Sequence, residues 1–396
     1  MRRRRLLAVI GSVGTATIAG CSGNGGGPSN GGSNTDNEGS SSGDYNEDSD
    51  DTPGGSEGTE TSSEQQFDIG AVVWQRRDGN VQGTRAIDAT GFTTDSFSSY
   101  TASISYPPAF TENAAIYGNQ IHEKSTGAPV RQLPAQAATT PAIAGETTYF
   151  VTPSELVAAD LTTGDEVWRY SLSAEGGQVI ATEEVIMVEL PESVVAVSAS
   201  DGSQLWSVPH TSGPSNPIAT IDGRLYAYDR AYNITDGSEV SSSPPLGGSS
   251  QLGPDGSVYK WSSIASELTK YSTDGSEEWT AGGTGTAWAA DSDHVYTVGS
   301  DVVRAINSSD GSERWSSQVP TIRHPHPIAV GSERVYAASG GRLFALNKTS
   351  GEREAEYQAN IDAVQGVQPA VGGGVVALCP ASENASGPSK ILVNES

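Results

Sequence analysis

The chain has 396 residues, 22 Lys and Arg against 48 Asp and Glu, and a formal net charge of −26 at pH 7. No basic patch or stripe exists to neutralise phosphates, so a nucleic-acid role is excluded. Two cysteines in the whole sequence exclude a disulfide framework and a multi-cysteine zinc site.

Residues 1–21 read as an export signal: Arg2 to Arg5 form a charged segment, and Leu6 to Ile18 form an apolar core too short for a stable bilayer span. Arg3-Arg4-Arg5-Leu6-Leu7 resembles the twin-arginine pattern of proteins exported folded, with Arg3 and Arg4 as the export residues. Ile18-Ala19-Gly20-Cys21 resembles a prokaryotic lipobox, which would make Cys21 the lipidated mature N-terminus. The alternative is an ordinary secretory signal whose cleavage site precedes a cysteine. Residues 22–66 contain no Lys or Arg, and their only aromatic residue is Tyr45. Such a stretch buries too little apolar surface to offset its ordering entropy and reads as a disordered acidic tether.

Residues 67–396 repeat. Turn glycines at Gly127, Gly164, Gly202, Gly237, Gly275, Gly311 and Gly351 are spaced 37, 38, 35, 38, 36 and 40 residues apart. Four residues after four of them come Trp168, Trp206, Trp279 and Trp315; Arg131, Ser241 and Ala355 hold that position in the others. A period near forty residues built of short alternating segments implies radial β repetition. Each repeat divides into four strands, as in Pro141 to Ala144, Thr147 to Val151, Leu156 to Asp160 and Glu166 to Tyr170. Apolar residues interleaved with polar ones suit half-buried antiparallel strands, and the Asp-Gly and Thr-Gly turns supply the positive φ of tight hairpins. The tryptophans are expected to pack between neighbouring sheets and to satisfy their ring N–H near a turn.

The C-terminal repeat offers three strands, Gln368 to Val371, Gly374 to Leu378 and Ile391 to Val393, and no tryptophan strand. Gly70-Ala71-Val72-Val73-Trp74-Gln75 carries the same glycine-to-tryptophan spacing and is expected to complete that last blade. The expected fold is therefore an all-β, eight-bladed β-propeller of four-stranded antiparallel blades, closed by an N-terminal strand that protects the sheet edges. A seven-bladed ring would place Trp74 outside the ring.

The runs Leu156-Val157-Ala158-Ala159-Asp160 to Gly164-Asp165-Glu166-Val167-Trp168, and Val194-Val195-Ala196-Val197 to Gly202-Ser203-Gln204-Leu205-Trp206, resemble the pyrroloquinoline-quinone-type propeller repeat. The resemblance covers residues 67–396. Quinoprotein dehydrogenases share this propeller, and their usual alcohol-oxidising set is a vicinal cysteine pair, a calcium site of Glu, Asn and Asp, and a catalytic Asp. The chain has no Cys-Cys pair and no insertion to cap a cofactor, so no catalytic residue, cofactor or metal is assigned. In repeat and anchoring it also resembles the outer-membrane assembly propeller lipoproteins of bacteria. Its acidity, five lysines and 35% hydrophobic content resemble proteins of salt-loving archaea, which points away from an organism with that outer membrane.

Two local features remain. Arg323-His324-Pro325-His326-Pro327 lies on the expected inner strand of the seventh blade, where His324 and His326 would share one face. They are candidates for a metal or anionic ligand, against a solvated strand whose prolines block extra pairing. His122, His210 and His294 offer no ligand spacing, and Cys379 reads as a buried small hydrophobe. Glycosylation triplets start at Asn233, Asn307, Asn347, Asn384 and Asn394. The expected function is a monomeric, lipid-anchored, extracytoplasmic scaffold that binds an unknown protein partner at the cell surface and reaches the membrane through its lipid. The alternatives are a quinone-dependent dehydrogenase, or a propeller that binds a small ligand or metal at its channel mouth.

Overall fold

The computed structural model describes residues 67–396 except 75–96, 103–105, 210–218, 228–229, 242–249, 284, 300, 321–327, 340–341, 359–366, 381–388 and 395–396. Eight antiparallel sheets follow one another around an eight-bladed β-propeller. Blade 2 is representative: Ala142–Ala144 is its inner strand, followed outwards by Thr147–Val151, Glu155–Asp160 and Glu166–Ser171. Blade 4 is the exception, because its outer strand is reduced, among the described residues, to a bridge between Tyr232 and Glu239. Ser241 stands there in the tryptophan position.

The middle strands are more buried than their sequence alternation implies. Val185–Leu190 of blade 3 is buried at all six positions, whereas the outer strand Gln204–Pro209 alternates around Trp206 and Val208. The cause is radial packing. A middle strand has a neighbouring blade on each face, whereas the outer strand meets solvent; blade 5 departs from this, its middle strands Val258–Ser262 and Glu267–Tyr271 being only partly buried.

The outer strands share one device. A bulge falls one residue before the tryptophan position, at Val130, Val167, Leu205, Glu278, Arg314 and Glu354. An extra residue at this place twists the exposed edge and discourages strand addition from outside.

The tryptophans join successive blades. Trp168 lies over Gly202, Trp206 over Gly237, Trp279 over Gly311 and Trp315 over Gly351, the turn glycine of the following blade in each case. A Cβ on Gly351 would lie 2.5 Å from Trp315 Cε3, and Gly351 has φ +72°, so glycine is needed there for both space and conformation. Each ring Nε1 donates to the carbonyl three residues before that glycine: Trp168 to Ala199 at 2.8 Å, Trp206 to Ile234 at 2.8 Å, Trp279 to Ser308 at 3.0 Å and Trp315 to Lys348 at 2.9 Å. On the other side, Trp168, Trp279 and Trp315 meet Tyr149, Tyr259 and Tyr296 of their own blades in tilted pairs 5.7, 5.9 and 6.2 Å apart.

An N-terminal strand does close the last blade, but it is not the expected one. Phe97–Ala102 pairs with Ser389–Asn394 and is the outer strand of blade 8. Val72–Trp74 instead pairs with Ala109–Thr111 and adds a fifth strand to the inner edge of blade 1. The aromatic residue in the closing strand is Tyr100. Its ring covers Gly127, and its hydroxyl donates to the Lys124 carbonyl at 3.1 Å, again three residues before the turn glycine. A tyrosine hydroxyl thus supplies the donor that an indole N–H supplies elsewhere, and Trp74 has no part in the outer-strand series.

Candidate interaction face

In a four-stranded meander the first and third turns emerge on one face of the ring, and the second turn and the crossover to the next blade on the other. The glycine turns therefore share a face with the turns between first and second strands. That face is lined with exposed carboxylates: Glu146 and Asp165 on blade 2, Glu183, Glu184 and Asp201 on blade 3, and Asp222 and Asp236 on blade 4. Blades 5 to 7 continue it with Asp255, Asp274, Asp293, Asp310, Glu333 and Glu352. Among the described residues, the exposed acids in the turns and crossovers of the opposite face are Glu175, Glu192, Glu267 and Asp301; Glu189 there is buried, and Glu155 is half-buried and paired with Arg169 at 2.7 Å. Carboxylates are thus concentrated on the glycine-turn face, where Asp255 and Glu333 lie beside cations, 3.7 Å from Lys270 Nζ and 3.7 Å from Arg334 Nη1.

Several of these acids stay ionised well into acid. The Asp201 carboxylate accepts the Ser203 backbone N–H at 3.0 Å and its hydroxyl at 2.7 Å, and Asp236 and Asp310 repeat the pattern with Ser238 and Ser312. These bonds favour the charged form and hold the three carboxyls below their ordinary range. Asp274, bonded to the Ser272 hydroxyl and to Ser276, is lowered to about 2.

Two lysines on this face are committed to the fold. Lys348 reaches back from blade 7 to Asp291 of blade 6, with Nζ 3.0 Å from Oδ2. Burial opposes ionisation of Asp291, yet the ammonium and the donors from His294 and Tyr296 outweigh it and hold the carboxyl low. Lys124 is buried, and its Nζ donates to the Thr111 carbonyl at 3.2 Å and, across the ring closure, to the Gly373 carbonyl of blade 8 at 2.7 Å. Burial lowers its pKa to about 8, against the opposing pull of Glu112.

A shallow cleft opens on the same face where the N-terminal segment crosses blade 2. Phe67, Asp68, Ile69 and Gly70 form one wall, Gly145 and Glu146 of the inner turn the second, and Leu161 and Thr162 of the outer turn the third, around a volume of about 360 Å³. Phe67 and Ile69 pack on the apolar cluster that contains Leu161, which is itself buried, and the cleft presents more polar than apolar surface. The wall is fixed by backbone: Asn113 N–H donates to the Ile69 carbonyl at 3.2 Å, Glu112 N–H to the Ala71 carbonyl at 2.7 Å, and the Thr111 hydroxyl also to Ile69.

The remaining sequence candidates divide. His324 and His326, with Arg323, lie outside the described residues, as do Arg3, Arg4 and Cys21. His122 is core: it stacks on Tyr117 with centroids 4.0 Å apart, and its Nδ1 lies 3.1 Å from the Gly127 carbonyl. His294, which has no ligand spacing in sequence, is brought beside Asp291 and Asp293 with ligand atoms within 4.8 Å of one another. Both Asp291 oxygens there are already engaged, Oδ1 by the N–H groups of Asp293 and His294 and Oδ2 by Lys348 and the Tyr296 hydroxyl. The group therefore works as a clasp between blades. Asn233 and Asn307 donate to Ser238 and Ser312, and Asn347 to Glu354, so these triplet asparagines brace their own turns.

Fold and repeat together define a PQQ-like β-propeller. The chain belongs to the family described as outer membrane protein assembly factor BamB, whose model matches residues 70–251 and 221–385. Among solved structures, BamB from Moraxella catarrhalis is 14% identical with a TM-score of 0.51, covering 76% of this chain and 100% of its own. The computationally designed Ika8 protein is 12% identical with a TM-score of 0.56, over 75% of this chain and 98% of its own. A quinohemoprotein alcohol dehydrogenase from Comamonas testosteroni is 10% identical with a TM-score of 0.56, over 82% and 81%. At these identities the likeness is one of fold. A search of curated proteins finds no match to the chain.

Proposed function

We propose that the protein is a non-enzymatic scaffold, a monomeric propeller lipid-anchored through Cys21 outside the cell, whose acidic turn face binds a protein partner. The observation that carries this reading is the concentration of carboxylates on the glycine-turn face. Rigid blades hold ionised carboxylates on one face, where they can pair at contact range with cationic groups of a partner and fix its orientation. Membership of a family described as an assembly factor supports a protein partner. The outer-membrane role itself is not carried over, because the acidic, lysine-poor composition resembles that of salt-loving archaea. The dehydrogenase among the structural neighbours shows that this fold can house a quinone enzyme, but the likeness extends to fold alone. Affinity capture of the full-length chain from its native membranes, in the salt of its own cells, tests the proposal. A protein recovered in stoichiometric amount is expected, and failure to recover any would overturn it.

A further inference from the structure

We infer that the seam between blades 8 and 1 is an acid-sensitive latch: His122, buried in that seam, loosens the closing strand Phe97–Ala102 when its ring takes up a proton. The repeat supplies the comparison. His122 pairs with Pro129, at the third-strand position on the turn side of the outer-strand bulge. Ala159, Val197, Ile306 and Leu346 hold that position in blades 2, 3, 6 and 7, all of them buried, and Tyr271 holds it in blade 5. In blades 2, 3, 6 and 7 the residue packs in a cluster shared with the preceding blade. For blade 1 the preceding blade is blade 8, across the ring closure, and there the position holds a base in place of a hydrocarbon.

The imidazole is tied to the closing strand through two neighbours. It stacks on Tyr117, with centroids 4.0 Å and planes 4° apart, and Tyr117 belongs to the cluster that holds Val376, Leu378 and Leu392 of blade 8. Its Nδ1 donates to the Gly127 carbonyl at 3.1 Å, and Gly127 lies under the Tyr100 ring of the closing strand. The other titratable groups around it are few. Lys124, two residues on, donates to the Gly373 carbonyl of blade 8, and Glu112 acts on that ammonium. Glu123 points to the other face of the strand and accepts the Thr126 hydroxyl at 2.6 Å. Among the described residues no carboxylate pairs with the imidazole, so burial outweighs the Gly127 bond and holds its pKa below the ordinary 6.5. The unfolded chain therefore binds more protons at this group below pH 6.5, and stability falls as the pH drops through 6.5 towards the lower folded value. The cation formed would be buried near the Lys124 ammonium, a like charge. Ala159 and Val197 take up no proton at the seams of blades 2 and 3.

Hydrogen exchange on the full chain in concentrated salt tests the latch. Amides of Phe97–Ala102 are followed at pH 7 and pH 5, corrected for intrinsic exchange, beside those of Gln204–Pro209, the outer strand of blade 3. Between these two conditions protection of the closing strand should fall at least about threefold further than that of the blade 3 strand. His122→Asn keeps a donor for Gly127 and cannot titrate, and His122→Leu installs the residue type found at Leu346. In either variant the two strands should respond alike. The comparison within the unaltered chain decides the matter if neither variant folds. An equal response of the two strands in the unaltered chain, or an undiminished difference in a folded variant, overturns the inference.

Discussion

The Tyr100 hydroxyl donates to the Lys124 carbonyl at 3.1 Å, and this bond occupies the place in the ring closure that indole-to-carbonyl bonds occupy between the interior blades. It joins the outer strand of blade 8 to the glycine turn of blade 1. Tyr100→Phe keeps the ring over Gly127 and loses one hydrogen bond, so a loss of about 0.5–1.5 kcal/mol is expected. Tyr100→Ala also removes the ring and should cost roughly 3 kcal/mol. Denaturant unfolding in concentrated salt measures both, and equal stability of the three proteins would contradict the closure.

The same logic applies inside the ring at Gly351. A methyl group there would press on Trp315 in a conformation with φ +72°. Gly351→Ala should destabilise by roughly 2–4 kcal/mol, combining overpacking with backbone strain. Gly223→Ala isolates the backbone part, because Gly223 has the same φ of +72° but nothing within 4 Å of an added Cβ. The smaller of the two losses in melting experiments should be at Gly223.

Lys124 makes the closure sensitive to pH. Its amine has a folded pKa of about 8 against 10.5 for the ordinary side chain. Below pH 8 both states carry the proton, and the folded state bears the cost of burying the charge. Between about pH 8 and 10.5 the unfolded chain binds more protons at this group, so its contribution to stability rises with pH. The neutral amine still has donors for Thr111 and Gly373. Lys124→Met should remove the rise, which is read as the difference between the stability–pH curves of the two proteins; parallel curves would sink the assignment.

Reconstitution with pyrroloquinoline quinone and calcium in concentrated salt, followed by a dye-linked assay on alcohols and sugars, should give no turnover. Oxidation of any of these substrates above the protein-free rate would make the propeller an enzyme.

The blade repeat was legible because its signal is local. Gly202 and Trp206 lie four residues apart and mark one hairpin and its outer strand. Ring closure was not legible for the opposite reason. Trp74 has a glycine four residues before it, yet its strand pairs with the inner edge of blade 1, and local spacing does not say which edge of which sheet a strand will join. Tyr100 lacks that glycine, and its role follows from contacts with Gly127 and Lys124. The cleft was invisible likewise, since its walls come from three separate segments that carry no shared motif. The concentration of carboxylates on one face could have been read, because alternate turns of a meander share a face once the four strands of each repeat are placed.

The central claim is that the acidic turn face holds a protein partner. Its most direct test is a photo-crosslinking residue at Glu146, on that face, compared with the same residue at Glu192, an exposed turn position on the opposite face, in native membranes. An adduct to one discrete protein from position 146 and none from position 192 is the expected result. An adduct from position 192 alone, or from neither, would contradict the account.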